Sequence, residues 1–134
     1  MVMVDGRGHL LSAFTIAAHH AEVNTLETLV DVRICERLPE RLIYDRAADA
    51  DWVRQKLDQR GIELICPHRK NRKKPPTQDG RPLRRYRKRW IVERTISWLF
   101  NYRRLTIRYE YYPDLFQGFV KMACVLILMR TFCN

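Results

Sequence analysis

The fold is decided by residues Arg41–Cys66, RLIYDRAADADWVRQKLDQRGIELIC. Its two ends, Arg41 to Tyr44 and Ile62 to Cys66, are short apolar runs of strand length. Between them Asp49-Ala50-Asp51 opens a stretch with Trp52, Val53 and Leu57 as its apolar face. Gly61 follows as a stop, because glycine takes the left-handed conformation that ends helices. Strand, helix and strand here continue an alternation begun by a strand and a helix upstream, which implies an α/β layer with a partly parallel sheet. Asp45 stands where the first run ends. Sites in open α/β sheets gather outside the carboxyl ends of strands, which makes this carboxylate a candidate for chemistry. The same residue suits a turn, or a cap for the helix that follows.

Upstream, Met1 to Val4 reads as a strand, Asp5-Gly6-Arg7-Gly8 as a hairpin turn and His9 to Ala18 as the returning strand. Asn24, with Glu27 three residues on, predicts a helix start. Leu26, Leu29, Val30 and Ile34 form its apolar face, and Pro39 breaks the chain after it. Downstream, Trp90 begins a helical pattern with Ile91, Val92, Ile96, Leu99 and Phe100 on one side, extended by Trp98, Tyr102 and Leu105. Arg94, Arg103, Arg104 and Arg108 are the basic positions of that region. Pro113 ends it, and Asp114 to Thr131 forms a last helix, apolar enough to be expected in the core. The apolar run Phe116 to Phe132 is interrupted by Lys121 and Arg130 and reads as short for a membrane span. No signal peptide is visible.

Charge is distributed unevenly. The formal net charge is +10. Residues 67–89 hold eleven Lys and Arg against one acid, Asp79, while the rest of the chain balances fourteen basic against fourteen acidic residues. All of the excess lies in one basic loop with paired prolines, Pro75-Pro76, which argues for a polyanionic partner. A mobile, solvated loop is the plainer reading of the same composition. The candidate phosphate and base contacts are Arg69, Lys70, Arg72, Lys73, Lys74, Arg84, Arg85, Tyr86, Arg87, Lys88 and Arg89, with Trp90 as a further stacking ring.

The basic run leads into Glu93, at the start of the following helix. Two carboxylates, Asp45 and Glu93, beside a basic strip are what metal-assisted phosphodiester chemistry needs, since hard divalent ions take oxygen ligands and activate a water or a 3′ hydroxyl. Glu93 would also pair with Arg89 at four residues' spacing, for only about 0.3–0.5 kcal/mol. Cys35, Cys66, Cys124 and Cys133 make no Cys-x-x-Cys pair and read as reduced thiols. Cys66-Pro67-His68 has half a zinc spacing and no second half, and His19-His20 reads as a strand end or turn.

Tyr86-x-x-Arg89-x-x-x-Glu93 resembles the third-acid signature of DDE transposases of bacterial insertion sequences, in particular the insertion-sequence-five group. Val4-Asp5-Gly6-Arg7-Gly8, Leu42-Ile43-Tyr44-Asp45-Arg46-Ala47, Arg60-Gly61-Ile62-Glu63 leading to Pro67-His68-Arg69-Lys70-Asn71-Arg72-Lys73, and Trp98 to Leu105 resemble the same group. The resemblance covers nearly the whole chain. It implies a partial ribonuclease H-like domain over 1–134: a mixed sheet with flanking helices, an N-terminal hairpin and C-terminal helices. It further implies Mg²⁺- or Mn²⁺-dependent DNA strand cleavage and strand transfer. Asp45 would be the second acid and Glu93 the third, both holding metal, with Tyr86 and Arg89 positioning DNA or the acid.

Three departures accompany it. The family's first catalytic Asp lies on a strand before the hairpin, so Asp5 belongs to the turn and the first acid is expected from an upstream half. Ala48 stands where the second-acid motif ends in an aromatic, and Phe100 where the signature continues to a Lys. The implied partners are transposon ends and target DNA, the upstream half and a possible second copy, with no membrane. The implied location is the cytoplasm, at the nucleoid. A non-catalytic DNA-binding fragment or regulator, or an inactive remnant, are the alternatives, and catalysis by this chain alone is not expected.

Overall fold

A computed structural model describes residues 1–17, 20–78 and 80–133. Ala18 and His19, at the end of the expected second strand, and Asp79 in the basic loop lie outside them. The elements are β1 (Val2–Val4), β2 (Leu10–Ala13), α1 (Leu26–Asp31), β3 (Arg41–Ile43), α2 (Asp51–Gln59), β4 (Glu63–Ile65), α3 (Gly80–Arg85), α4 (Trp90–Leu99), α5 (Arg103–Thr106) and α6 (Pro113–Phe132). Single 3₁₀ turns occupy Glu22–Thr25, Arg46–Ala48 and Tyr86–Arg89. The chain is α/β, as expected, but among the described residues its strands form two separate two-stranded sheets rather than one mixed sheet: β1 with β2 antiparallel, β3 with β4 parallel. Internal packing divides the chain into two units, Met1–Cys35 with Trp90–Asn134, and Glu36–Arg89.

In the first unit the turn between β1 and β2 is built by Asp5. Its Oδ1 accepts the amides of Arg7, Gly8 and His9 at 2.8, 2.8 and 2.9 Å, and Oδ2 lies 2.8 Å from His9 Nδ1. Burial works to raise the Asp5 pKa, but these backbone and imidazole bonds hold it below the ordinary value. The returning strand is shorter than the sequence suggests. The Phe14 amide closes the ladder on the Met1 carbonyl, and the Thr15 amide turns instead to Gln117 Oε1 of α6 at 2.7 Å. Gln117 Nε2 donates to the Ala13 carbonyl, so one amide side chain satisfies both groups that the strand end leaves open. The core gathers Leu10, Leu99, Ala123 and Ile127, with Val2, Val4, Trp98, Tyr102, Leu105, Cys124 and Leu128 packed around them.

Several expected faces shift. α1 buries Leu26, Leu29 and Val30, but it ends at Asp31, so Ile34 falls outside it and is exposed. Thr25 rather than Asn24 stands at its N-cap, and its Oγ1 donates back to the Glu22 carbonyl at 2.8 Å instead of capping a helix amide. The buried stripe of α4 is Ile91, Thr95 and Leu99 at four-residue intervals, and Phe100 points to solvent. Thr95 is tolerated there because its Oγ1 donates to the Gly8 and Ile91 carbonyls. The expectation of a buried last helix is corrected most. Pro113 starts α6 earlier than the apolar run, giving twenty residues, long and apolar enough to cross a membrane. Only Ala123 and Ile127 are buried in it, while Leu115, Met122, Val125, Leu126, Met129 and Phe132 are exposed. A helix apolar on all sides must leave some of them outside when one stripe packs.

In the second unit β3 and β4 pair Arg41 with Glu63, Leu42 with Leu64 and Ile43 with Ile65. The crossover α2 buries Val53 and Leu57, whereas Trp52 lies half open beneath Lys56. Gly61, at φ +72°, ends α2 as expected: the Gly61 amide bonds the Asp58 carbonyl and the Ile62 amide reaches back to Leu57. The stretch expected as loop has order in its second part, where α3 and the Tyr86–Arg89 turn are helical.

Candidate carboxylates and nucleic-acid interface

Asp45 follows β3, whose end is marked by the Tyr44 amide bonding the Ile65 carbonyl. It has extended backbone, and its Oδ1 accepts the Ala47 amide at 2.8 Å, capping the turn Arg46–Ala48. Oδ2 carries no hydrogen bond or ion pair among the described residues. The carboxylate therefore does local structural work with one oxygen and leaves the other open. Ala48, where the family pattern has an aromatic, is fully buried.

Four residues on, Asp49 is an acid whose weight the sequence does not reveal. Its side chain is 1% exposed. Oδ1 accepts from Arg54 Nη2 at 3.1 Å, His68 Nδ1 at 2.9 Å and Arg72 Nη1 at 3.3 Å, and Oδ2 accepts the Arg69 amide at 2.7 Å. His68 Nε2 accepts the Thr77 amide, so Nδ1 is the protonated nitrogen and donates to Asp49. Burial pushes the Asp49 pKa up, but the Arg69 amide and the His68 and Arg54 hydrogen bonds overcome it and bring the pKa down to about 2. Arg72 Nη2 and Lys74 Nζ then share Asp51, at 2.8 and 2.7 Å. An acid four places from Asp45 and ahead of a cluster of cations was the available signal, and nothing in the spacing marks it as buried.

This hub sorts the basic stretch. Arg72 and Lys74 are ion-paired, and Arg69 is held by the Arg46 and Ala47 carbonyls, which leave its charge uncompensated. Lys70 and Lys73 are exposed without partners among the described residues, as are Arg84, Arg85, Arg87 and Lys88 beyond them. Arg89 lies over the Tyr86 ring at 5.8 Å. Cys66 Sγ accepts from Arg54 Nη2 at 2.9 Å, and burial pushes that thiol up to about 11 despite the arginine. Among the described residues no three His, Cys, Asp or Glu side chains cluster as a metal site.

Glu93 is exposed in the first turn of α4. One residue on, the Arg94 guanidinium sits between two rings, 4.9 Å from Trp90 and 4.8 Å from Trp98, and Nη2 donates to the Arg7 carbonyl at 2.9 Å. These contacts lock the helix against the hairpin turn and set the azimuth at which Glu93 faces out.

Residues 1–128 match the family model described as the transposase DDE domain. The chain belongs to that family. It is 35% identical over 138 residues to the Burkholderia cepacia protein named as a transposase for insertion sequence element IS402. The match takes in 97% of this chain and 62% of the relative, so this DDE-family chain spans somewhat less than two thirds of the relative's length. The resemblance to DDE transposases of insertion sequences, read from the acids and the basic run, is thus borne out. No solved structure matches it.

Proposed function

We propose that this chain is the C-terminal catalytic portion of a DNA transposase, completed by an upstream segment that brings the first acid. Asp45 is its second acid and Glu93 its third. The observation that carries the reading is Asp45 at the carboxyl end of a parallel strand with one oxygen uncommitted, in a chain of the DDE family. A ribonuclease H-like arrangement of the completed domain accords with that crossover.

The donor chemistry fits Mg²⁺ or Mn²⁺. Both acids are hard oxygen donors accessible to solvent, and Mg²⁺ is held by one or two carboxylates together with substrate phosphates and water. Bound there, the ion supplies the charge that activates a water or a 3′ hydroxyl. Lys70, Lys73, Arg84, Arg85, Arg87 and Lys88 hold the phosphate backbone of the DNA ends, while Arg69, Arg72 and Lys74 shape the stretch through the Asp49 and Asp51 contacts. The protein acts on DNA in the cytoplasm.

The test is strand cleavage and transfer of end-bearing DNA by the chain joined to its upstream segment, in Mg²⁺. Asp45→Asn and Glu93→Gln are each expected to lower the rate by at least about a hundredfold with DNA affinity kept. Full transfer activity in the Glu93→Gln protein would sink the catalytic reading. The six unpartnered cations favour a second reading, a DNA-binding fragment that regulates the full protein; duplex binding by the chain alone, with no cleavage by the completed protein, selects it.

A further inference from the structure

The segment between α5 and α6 carries a surface that the basic run does not explain. Tyr111 is 87% exposed and Tyr112 64%, with rings 5.3 Å apart and perpendicular. Tyr109 beside them is 58% exposed. The segment's acid has been withdrawn from the surface: Glu110 has a side chain only 5% exposed, and its Oε1 takes Arg104 Nη1 at 2.7 Å. Arg104 is thereby neutralised and lies over the Phe119 ring. Two guanidinium charges remain. Arg108 donates to the Glu110 and Tyr111 carbonyls at 3.0 and 3.4 Å and lies over Phe116, so it is immobilised by neutral acceptors and keeps its charge. Among the described residues the Arg103 side chain reaches only the Tyr109 hydroxyl, at 3.5 Å.

We infer that Tyr111 and Tyr112, with Arg103 and Arg108, form a site for single-stranded DNA, in which the rings stack on unpaired bases and the guanidiniums hold the adjoining phosphates. The inference rests on the DNA reading above and deepens it. A π-face stacks on any base once it is unstacked, and the paired bases of a duplex offer no such face, so the rings select single strands while the cations supply sequence-independent attraction. Tyrosine and arginine also suit protein interfaces. The pairing of Glu110 with Arg104 decides for a polyanion: it leaves the two guanidiniums of Arg103 and Arg108 against one exposed carboxylate nearby, Asp114 in the first turn of α6, so the surface keeps an excess of positive charge.

Fluorescence anisotropy with a labelled 15-nucleotide pyrimidine strand and the matching duplex tests this on the full chain. Tyr111→Ala with Tyr112→Ala is expected to weaken single-strand binding by roughly tenfold or more and leave duplex binding within about twofold. Tyr111→Phe with Tyr112→Phe keeps the stacking face and is expected to bind as the parent does. Thermal melts check each fold, and Tyr111→Ala alone, at the most open ring, serves if the pair unfolds. Unchanged single-strand binding by the alanine protein, while Arg84→Ala, Arg85→Ala, Arg87→Ala and Lys88→Ala together abolish DNA binding, overturns this site and leaves the DNA reading standing. Unchanged single-strand binding with lost self-association in sedimentation marks a protein interface and overturns it too. If the parent binds neither probe, the DNA reading falls and this inference with it.

Discussion

At the scale of the residue, Asp49 shows how a carboxylate organises a charged segment. A fully desolvated acid facing two arginines is tolerated because four donors reach its two oxygens. Its pKa of about 2, against an ordinary 3.8, means that its folded form stabilises the protein above about pH 4 and loses that contribution as the pH falls toward 2. The size is about 2 kcal/mol, from the linkage of a shift this large. Asp5 and Asp51, also lowered, act on the acid side with the same sign. Asp49→Asn leaves Arg54 and Arg72 without their counter-charge and is expected to cost about 3 kcal/mol at pH 7. Urea midpoints from pH 2 to 7 check both points: the variant loses stability less steeply below pH 4, and identical acid limbs would refute the assignment. The sequence shows Asp49 as one of two acids opening a helix. Its burial depends on His68, Arg69 and Arg72, some twenty residues away, and no local pattern reports that.

At the scale of the element, the hairpin turn and α4 depend on each other. Gly8 has φ +98°, and a Cβ there would lie 2.7 Å from Arg94 Nη2 and 3.3 Å from Thr95 Oγ1. Gly8→Ala therefore meets both backbone strain and a displaced Arg94, at an expected cost of about 2 kcal/mol. Gly6, with nothing within 4 Å of a Cβ and no such φ, is the control, and its alanine variant is expected within about 0.5 kcal/mol. Equal denaturation midpoints for the two variants would show that the turn does not hold the helix. The turn itself was legible, because glycines and Asp mark it chemically. The helix face was legible only in part. Hydrophobic periodicity selects Phe100 for the core and passes over Thr95, since it cannot see that the Gly8 carbonyl waits opposite that hydroxyl. The last helix, apolar on every side, has no periodicity to read at all.

At the scale of the whole molecule, the charge asymmetry sets the expected response to salt. Six cations of the basic stretch are exposed and unpartnered among the described residues. If all six meet phosphates, the slope of log affinity against log salt for duplex DNA is roughly −5. Replacing Arg84, Arg85, Arg87 and Lys88 by Ala is expected to reduce its magnitude by roughly 3 to 4, measured by anisotropy between 50 and 200 mM salt as an order-of-magnitude range. An unchanged slope would remove the stretch from the phosphate track. By itself the sequence determined the α/β class, the parallel crossover, the hairpin, the membership signalled by Asp45 and Glu93, and the location of the excess charge. These are properties of composition, short-range spacing and turn chemistry, which a chain carries before it folds. The tertiary structure decided which of the eleven cations are spent on Asp49 and Asp51, which oxygen of Asp45 stays open, which stripe of α6 is covered, and that Glu110 is hidden while Tyr111 and Tyr112 stand out. Each of those turns on desolvation and on partners remote along the chain, quantities that exist only once the chain is packed.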